Sequence, residues 1–232
     1  MISIIGTKFT TLYNQSLPVQ QNRQPSFRGS LDSFERSLCE AKYSLPPHLL
    51  EVHRMCGKTI GERIILEAID KGYIDENKIK KVCDFGCGLG GATDVMRETF
   101  KLDKNNITGV DMINIQGNSD RFNFVHGDGI DYLASGKEKF DLIAATYFSP
   151  NVNPHELLAA VPNSLSENGQ FLAYSDSDTM HKLAKYLKGA EYHRFNDDRY
   201  IGAIVIGKVE LEKLLAQAPQ ISFIEYCMAH KA

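Results

Sequence analysis

Asp84-Phe85-Gly86-Cys87-Gly88-Leu89-Gly90-Gly91 is the segment best equipped for chemistry. Glycines at a tight turn let the backbone approach a ligand without side chains in the way. A helix starting at such a turn adds unpaired N–H groups. Gly86, Gly88 and Gly91 satisfy the dinucleotide-binding spacing G-x-G-x-x-G. Asp111 lies further along at the distance where an acid reaches ribose hydroxyls. A carboxylate there accepts two hydrogen bonds from a 2′,3′-diol. Asp128 follows Gly127 later still. Each residue also has a structural use: Asp84 beside a helix dipole, Asp111 in a turn.

These residues need a scaffold that brings them to one edge. Short apolar strands are expected at 81–85, 106–112, 122–126, 140–146 and 169–175, alternating with helices at 91–100, 129–134 and 154–165. Apolar strands alternating with helices predict a parallel sheet covered on both faces. Ligands bind such sheets outside the carboxyl ends of the strands. The expected architecture is α/β: a Rossmann-like, doubly wound, mostly parallel seven-stranded sheet. The late segments 191–195 and 200–206 form a candidate hairpin, with helices at 179–189 and 209–218 and a final strand at 221–228. Helices at 31–44, near 48–57 and about 59–71 make an N-terminal extension. Residues 1–31 lack Asp and Glu and read as a loose arm. The division expected is an arm and lid over 1–56 and a cofactor-binding domain over 57–232.

The four ordered motifs V-C-D-F-G-C-G-L-G-G, G-V-D-M, F-V-H-G-D-G and F-D-L-I-A-A-T-Y-F resemble those of the class I S-adenosylmethionine-dependent methyltransferases, over about residues 80–175. The resemblance implies S-adenosylmethionine as cofactor. Gly86, Gly88 and Gly90 would pass under its methionine part and Asp84 would face its ammonium. Asp111 would hold the ribose. Met112 and Ile130 would sandwich the adenine, although core packing selects the same residue types. Asp128, followed by Gly129, would accept the adenine amino group. Thr146 and Tyr147 would lie beside the methyl group. Aminopropyltransferases share this fold, but their additional acidic motifs are missing here.

Two other functions compete. A nicotinamide-dependent oxidoreductase explains the glycines and Asp111 but not Asp84, where dehydrogenases carry an apolar residue. A non-catalytic S-adenosylmethionine-binding module keeps the fold without the reaction. In methyl transfer the protein chiefly aligns the acceptor, and a base serves only where a proton must leave early. His155 and His181, at expected helix starts, are the candidate bases. The sequence T-Y-F-S-P departs from the Asn/Asp-Pro-Pro-Tyr/Phe pattern of methylation at base or glutamine amino groups. With a net charge of -3 and no basic run, nucleic acid is disfavoured as acceptor. A small molecule or protein side chain is expected instead. Segments 43–56 and 176–199 are the candidate lids.

Five cysteines at irregular spacing form no zinc pattern. They read as reduced thiols of a cytoplasmic protein. No metal site or membrane span is expected, and the sequence leaves the oligomeric state open.

Overall fold

The computed structural model describes residues 44–115, 117–146, 154–194 and 201–219. Its centre is a seven-stranded sheet of order β3-β2-β1-β4-β5-β7-β6. The strands are β1 (Val82–Phe85), β2 (Ile107–Asp111), β3 (Asn123–His126), β4 (Phe140–Thr146), β5 (Leu165–Asp176), β6 (Tyr192–Arg194) and β7 (Ile201–Gly207). The first five run parallel, while β7 lies antiparallel to both β5 and β6. The candidate hairpin of the late segments is therefore present as β6–β7. The chain winds outward from β1 to β3 and returns to β4, so the topological switch point falls between β1 and β4.

Among the described residues seven α-helices accompany the sheet: α1 (Pro47–Asp70), α2 (Gly91–Thr99), α3 (Asn118–Arg121), α4 (Gly129–Ala134), α5 (Pro154–Ser164), α6 (Ser177–Tyr186) and α7 (Lys208–Gln217). Alternation along each strand sends neighbouring side chains to opposite faces. On β5, Leu172 and Tyr174 join Ile64, Ile65, Val95 and Met96 under α1 and α2. Phe171 and Ala173 join Leu157, Val161, Leu183 and Leu211 under α5, α6 and α7. The sheet is thus doubly wound.

The pair of helices expected at 48–57 and 59–71 is one continuous helix. Gly57 is not a break but a contact. A Cβ on it would stand 3.8 Å from the Gly91 Cα, and one on Gly61 would reach Ala92 at 2.9 Å. α1 and α2 therefore meet backbone to backbone, which only small residues allow. The expected 56/57 boundary falls inside α1. Smaller differences concern ends: β5 starts at Leu165, with a register shift opposite Phe140/Leu142, and α6 covers Ser177–Tyr186. The short α3 carries no sequence periodicity and was not anticipated. The expected helix at 31–44, the arm before it and the strand at 221–228 lie outside the described residues.

Gly91 is the tightest point of this packing. A Cβ there would lie 2.3 Å from Arg54 O and 2.6 Å from Lys58 N, both backbone atoms. Gly91→Ala should cost about 2 kcal/mol or more, because α1 must shift bodily. Urea denaturation of the two proteins measures this, and equal midpoints would show that the helices are not held at that distance.

Candidate functional site

β1 delivers the glycine loop to the switch point. Gly86 N and Cys87 N both donate to Val110 O, at 2.9 and 3.1 Å, which bends the chain sharply over the end of β2. Gly86 has φ of 70°, in the left-handed region. A Cβ on Gly86 would meet nothing within 4 Å. The loop therefore leaves open space there. Gly129 differs: a Cβ would strike the Phe85 ring at 2.6 Å, so its smallness serves packing of α4 on β1.

Three acids stand at the ends of three adjacent strands, about 5 Å apart from strand to strand. Asp84 is fully buried. It accepts hydrogen bonds from Thr93 Oγ1 at 2.5 Å and Thr146 Oγ1 at 2.9 Å. Burial pushes its carboxyl up to about 7; the two hydroxyls pull it down and the Asp111 charge raises it further. Asp111 accepts from Gly88 N and Ile113 N, each at 2.9 Å. Each carboxylate oxygen has two lone pairs, so capacity for a diol remains. Asp128 caps α4 by accepting from Ile130 N and Asp131 N through Oδ1 alone. Met112 and Ile130 are half-buried on this edge, and Met112 O accepts from His126 Nε2 at 3.1 Å in the tautomer that protonates it.

Sequence reasoning missed two residues of α3. Asn118 Nδ2 donates to Gly88 O at 2.8 Å. Arg121 Nη2 donates to Leu89 O at 2.6 Å, and Nη1 approaches Gly90 O at 3.5 Å. Arg121 also pairs with Asp94, which pairs with Arg54 of α1 at 2.7 Å. The signal was the spacing: residues three apart share a helix face. Beside this cluster is a cleft of about 810 Å³, bordered by Leu50, Glu51, Arg54, Leu89, Asn114 and Arg121 among others. The first lid candidate therefore borders the glycine loop through α1.

The candidate bases are held by aromatic neighbours. His155 Nδ1 lies 2.6 Å from Tyr186 Oη. His181 packs edge-on against Tyr192, ring centres 5.6 Å apart. The Tyr192 hydroxyl in turn hydrogen-bonds the Ser177 hydroxyl. His193, also in the second lid candidate, is buried and stacks on Tyr73 at 3.8 Å. Tyr147 lies outside the described residues. Cys83 and Cys87 are buried, and burial pushes both thiols up. Among the described residues no cluster of three or more His, Cys, Asp or Glu could hold a metal ion. No described helix is long and apolar enough to cross a membrane.

A doubly wound sheet with a glycine loop at its switch point, and acids ending β1 and β2 and following β3, is an open α/β architecture whose carboxyl edge is where such sheets hold ligands. A family model described as a methyltransferase domain matches residues 56–218. The chain belongs to this family, the class I S-adenosylmethionine-dependent methyltransferases. Parts of several solved structures are similar to parts of the chain. An S-adenosylmethionine-dependent methyltransferase from Archaeoglobus fulgidus is 25% identical over 53% of this chain and 58% of that one, with a TM-score of 0.40. A spermidine synthase from Thermotoga maritima is 17% identical over 56% and 54%, with a TM-score of 0.44. The chain thus spans about half the length of that synthase. No curated protein matches the chain significantly.

The buried acid makes a prediction about pH. Its folded pKa of about 7 lies above the unfolded value near 3.9. Between these the folded state binds more protons, so stability falls as pH rises from about 4 to about 7. Asp84→Asn removes that dependence. The stability difference between wild type and variant should move against the wild type from pH 5 to pH 8, by on the order of 3 kcal/mol. Denaturant titrations at the two pH values measure it, and a constant difference would mean that Asp84 titrates as an ordinary carboxylate.

Proposed function

We propose that the chain transfers the methyl group of S-adenosylmethionine to a small molecule or a protein side chain by in-line displacement. One observation carries the reading: three acids with different degrees of burial end adjacent strands around the open space at Gly86. The residues fit the cofactor. Asp84, buried and near neutrality, would receive the ammonium, since a cation beside it restores the charged carboxylate that burial penalises. Asp111 would hold the ribose diol. The Asp128 oxygen that the α4 cap leaves unused would accept the adenine amino group, with Met112 and Ile130 against the ring and Gly88 and Gly90 beneath the methionine part. The bound cofactor supplies the electrophilic methyl group. The chain supplies alignment and water exclusion.

Thr146, held by Asp84, and Tyr147 would line the approach of the acceptor. Methyl transfer to an acceptor with an available lone pair needs no base. Where the acceptor must lose a proton first, His155 and His181 are the imidazoles on helices that follow the carboxyl ends of β4 and β5. The acceptor class rests on the T-Y-F-S-P sequence and the absence of a basic run.

Calorimetry should show S-adenosylhomocysteine binding in the micromolar range, roughly -8 kcal/mol, and no binding of NADH. Asp111→Ala should weaken binding about tenfold or more through loss of a charged acceptor. Near pH 7 binding should release protons, seen as a dependence of the heat on buffer ionisation, because the ammonium drives Asp84 to its charged form. Preference for NADH would overturn the reading. Formation of S-adenosylhomocysteine with low-mass or protein fractions of a cell extract then tests the acceptor. Turnover with only the nucleic acid fraction would reassign the acceptor, and binding without turnover on any fraction would favour the non-catalytic module.

A further inference from the structure

The glycine loop is gripped from behind. Gly88, Leu89 and Gly90 are consecutive, and all three of their carbonyls face two side chains of α3. Asn118 is fully buried and takes the first. The Arg121 guanidinium approaches the other two while its remaining contacts fix its plane. Nη2 also donates to Asn118 Oδ1 at 2.7 Å, Nη1 pairs with Asp94, and the group sits 5.2 Å over the Phe122 ring. Phe122 itself occupies the space where a Cβ on Gly90 would stand, at 2.5 Å.

Peptide geometry gives this grip a consequence. In a trans peptide the carbonyl of one residue and the N–H of the next point in opposite directions, and the described chain has no cis bonds. The Gly88 carbonyl drawn toward α3 turns the Leu89 N–H the other way, while Gly90 O accepts from Asp94 N of α2 at 2.9 Å, which turns the Gly91 N–H likewise. Gly91 begins α2, where N–H groups lack helical partners. The loop could otherwise flip its peptides, since glycine tolerates both senses.

We infer that Asn118 and Arg121 are positioning residues that hold the glycine loop in its cofactor-binding conformation by fixing the Gly88 and Leu89 carbonyls. The inference rests on the cofactor reading above and extends it to residues that do not touch the cofactor. Arg121 suits the task because its planar fork reaches two carbonyls and a carboxylate at once, which an ammonium cannot do. Asp94 links the same fork to Arg54, so α1 and the loop share one anchor.

The test uses the full chain and S-adenosylhomocysteine. Arg121→Lys keeps the charge beside Asp94 but loses the fork. Asn118→Ala leaves the ion pairs in place and frees Gly88 O. Each should weaken binding tenfold to a hundredfold, the range for lost charge-assisted or buried hydrogen bonds. Asp141→Asn is the control. Asp141 holds the opposite edge of the sheet by accepting from Lys80 N and Lys81 N, so its loss should lower the melting temperature without changing affinity. Guanidinium ion added to Arg121→Ala should restore part of the affinity, which a general loss of stability would not allow. Affinity within twofold of wild type for both Arg121→Lys and Asn118→Ala would overturn the inference. If Arg121→Lys fails to fold, Asn118→Ala decides alone. Failure of the wild type to bind would instead overturn the cofactor reading, and this inference with it.

Discussion

The site depends on one buried carboxylate that carries no chemistry. Asp94 sits in the first turn of α2 with its side chain only 5% exposed, between the guanidinium groups of Arg54 and Arg121. Its second oxygen, Oδ1, is buried without a hydrogen-bond partner among the described residues. A charge in that position is costly unless paired, and removing one partner of a buried pair typically costs about 3–5 kcal/mol. The pairing therefore fixes α1, α2 and α3 together. The backbone contact at Gly91 sets the helix separation, and the ion pairs set the orientation. The glycine loop is attached to this assembly on both sides, through Gly91 in chain order and through Arg121 in space.

The carboxyl edge of the sheet was legible because its constraints are local. Apolar strands, the glycine turn and the acids at Asp84, Asp111 and Asp128 all follow from the path of a single segment and its ending. The carboxyl edge then collects them by topology. What escaped depends on contacts between segments. The helix expected at 59–71 was separated from the one near 48–57, because nothing in the neighbourhood of Gly57 shows that Gly91 approaches it. Asn118 and Arg121 read as loop, because four residues carry no period. Gly129 read as part of the ligand surface, although its nearest demand comes from the Phe85 ring. Sequence periodicity reports which face of an element is buried, not what comes against it.

The two histidines illustrate the same limit. Position at a helix start singled them out, yet Tyr186 and Tyr192 constrain both rings. A helix start says nothing of the aromatic partner that packing brings to the ring. Asp84, a carboxyl held near neutrality by burial, with hydroxyls of α2 and β4 converging on it, favours a cation over solvent. It also ties Thr146 at the end of β4 and Thr93 of α2 to the base of the glycine loop through one hydrogen-bonded group.

The hairpin that closes the sheet has a bearing on how copies of the molecule meet. Among the described residues the outermost strands are β3 on one side, with four residues, and β6 on the other, with three. Edges this short offer few free N–H and C=O groups in register, so strand-by-strand growth into a neighbouring molecule gains little. The antiparallel insertion of β7 supports this arrangement. The long, apolar Ile201–Gly207 segment lies inside the sheet, paired on both sides, and the short segment beside it takes the boundary. Among the described residues a fold rich in adhesive backbone thus ends in two blunt margins, each too short to template a long added strand.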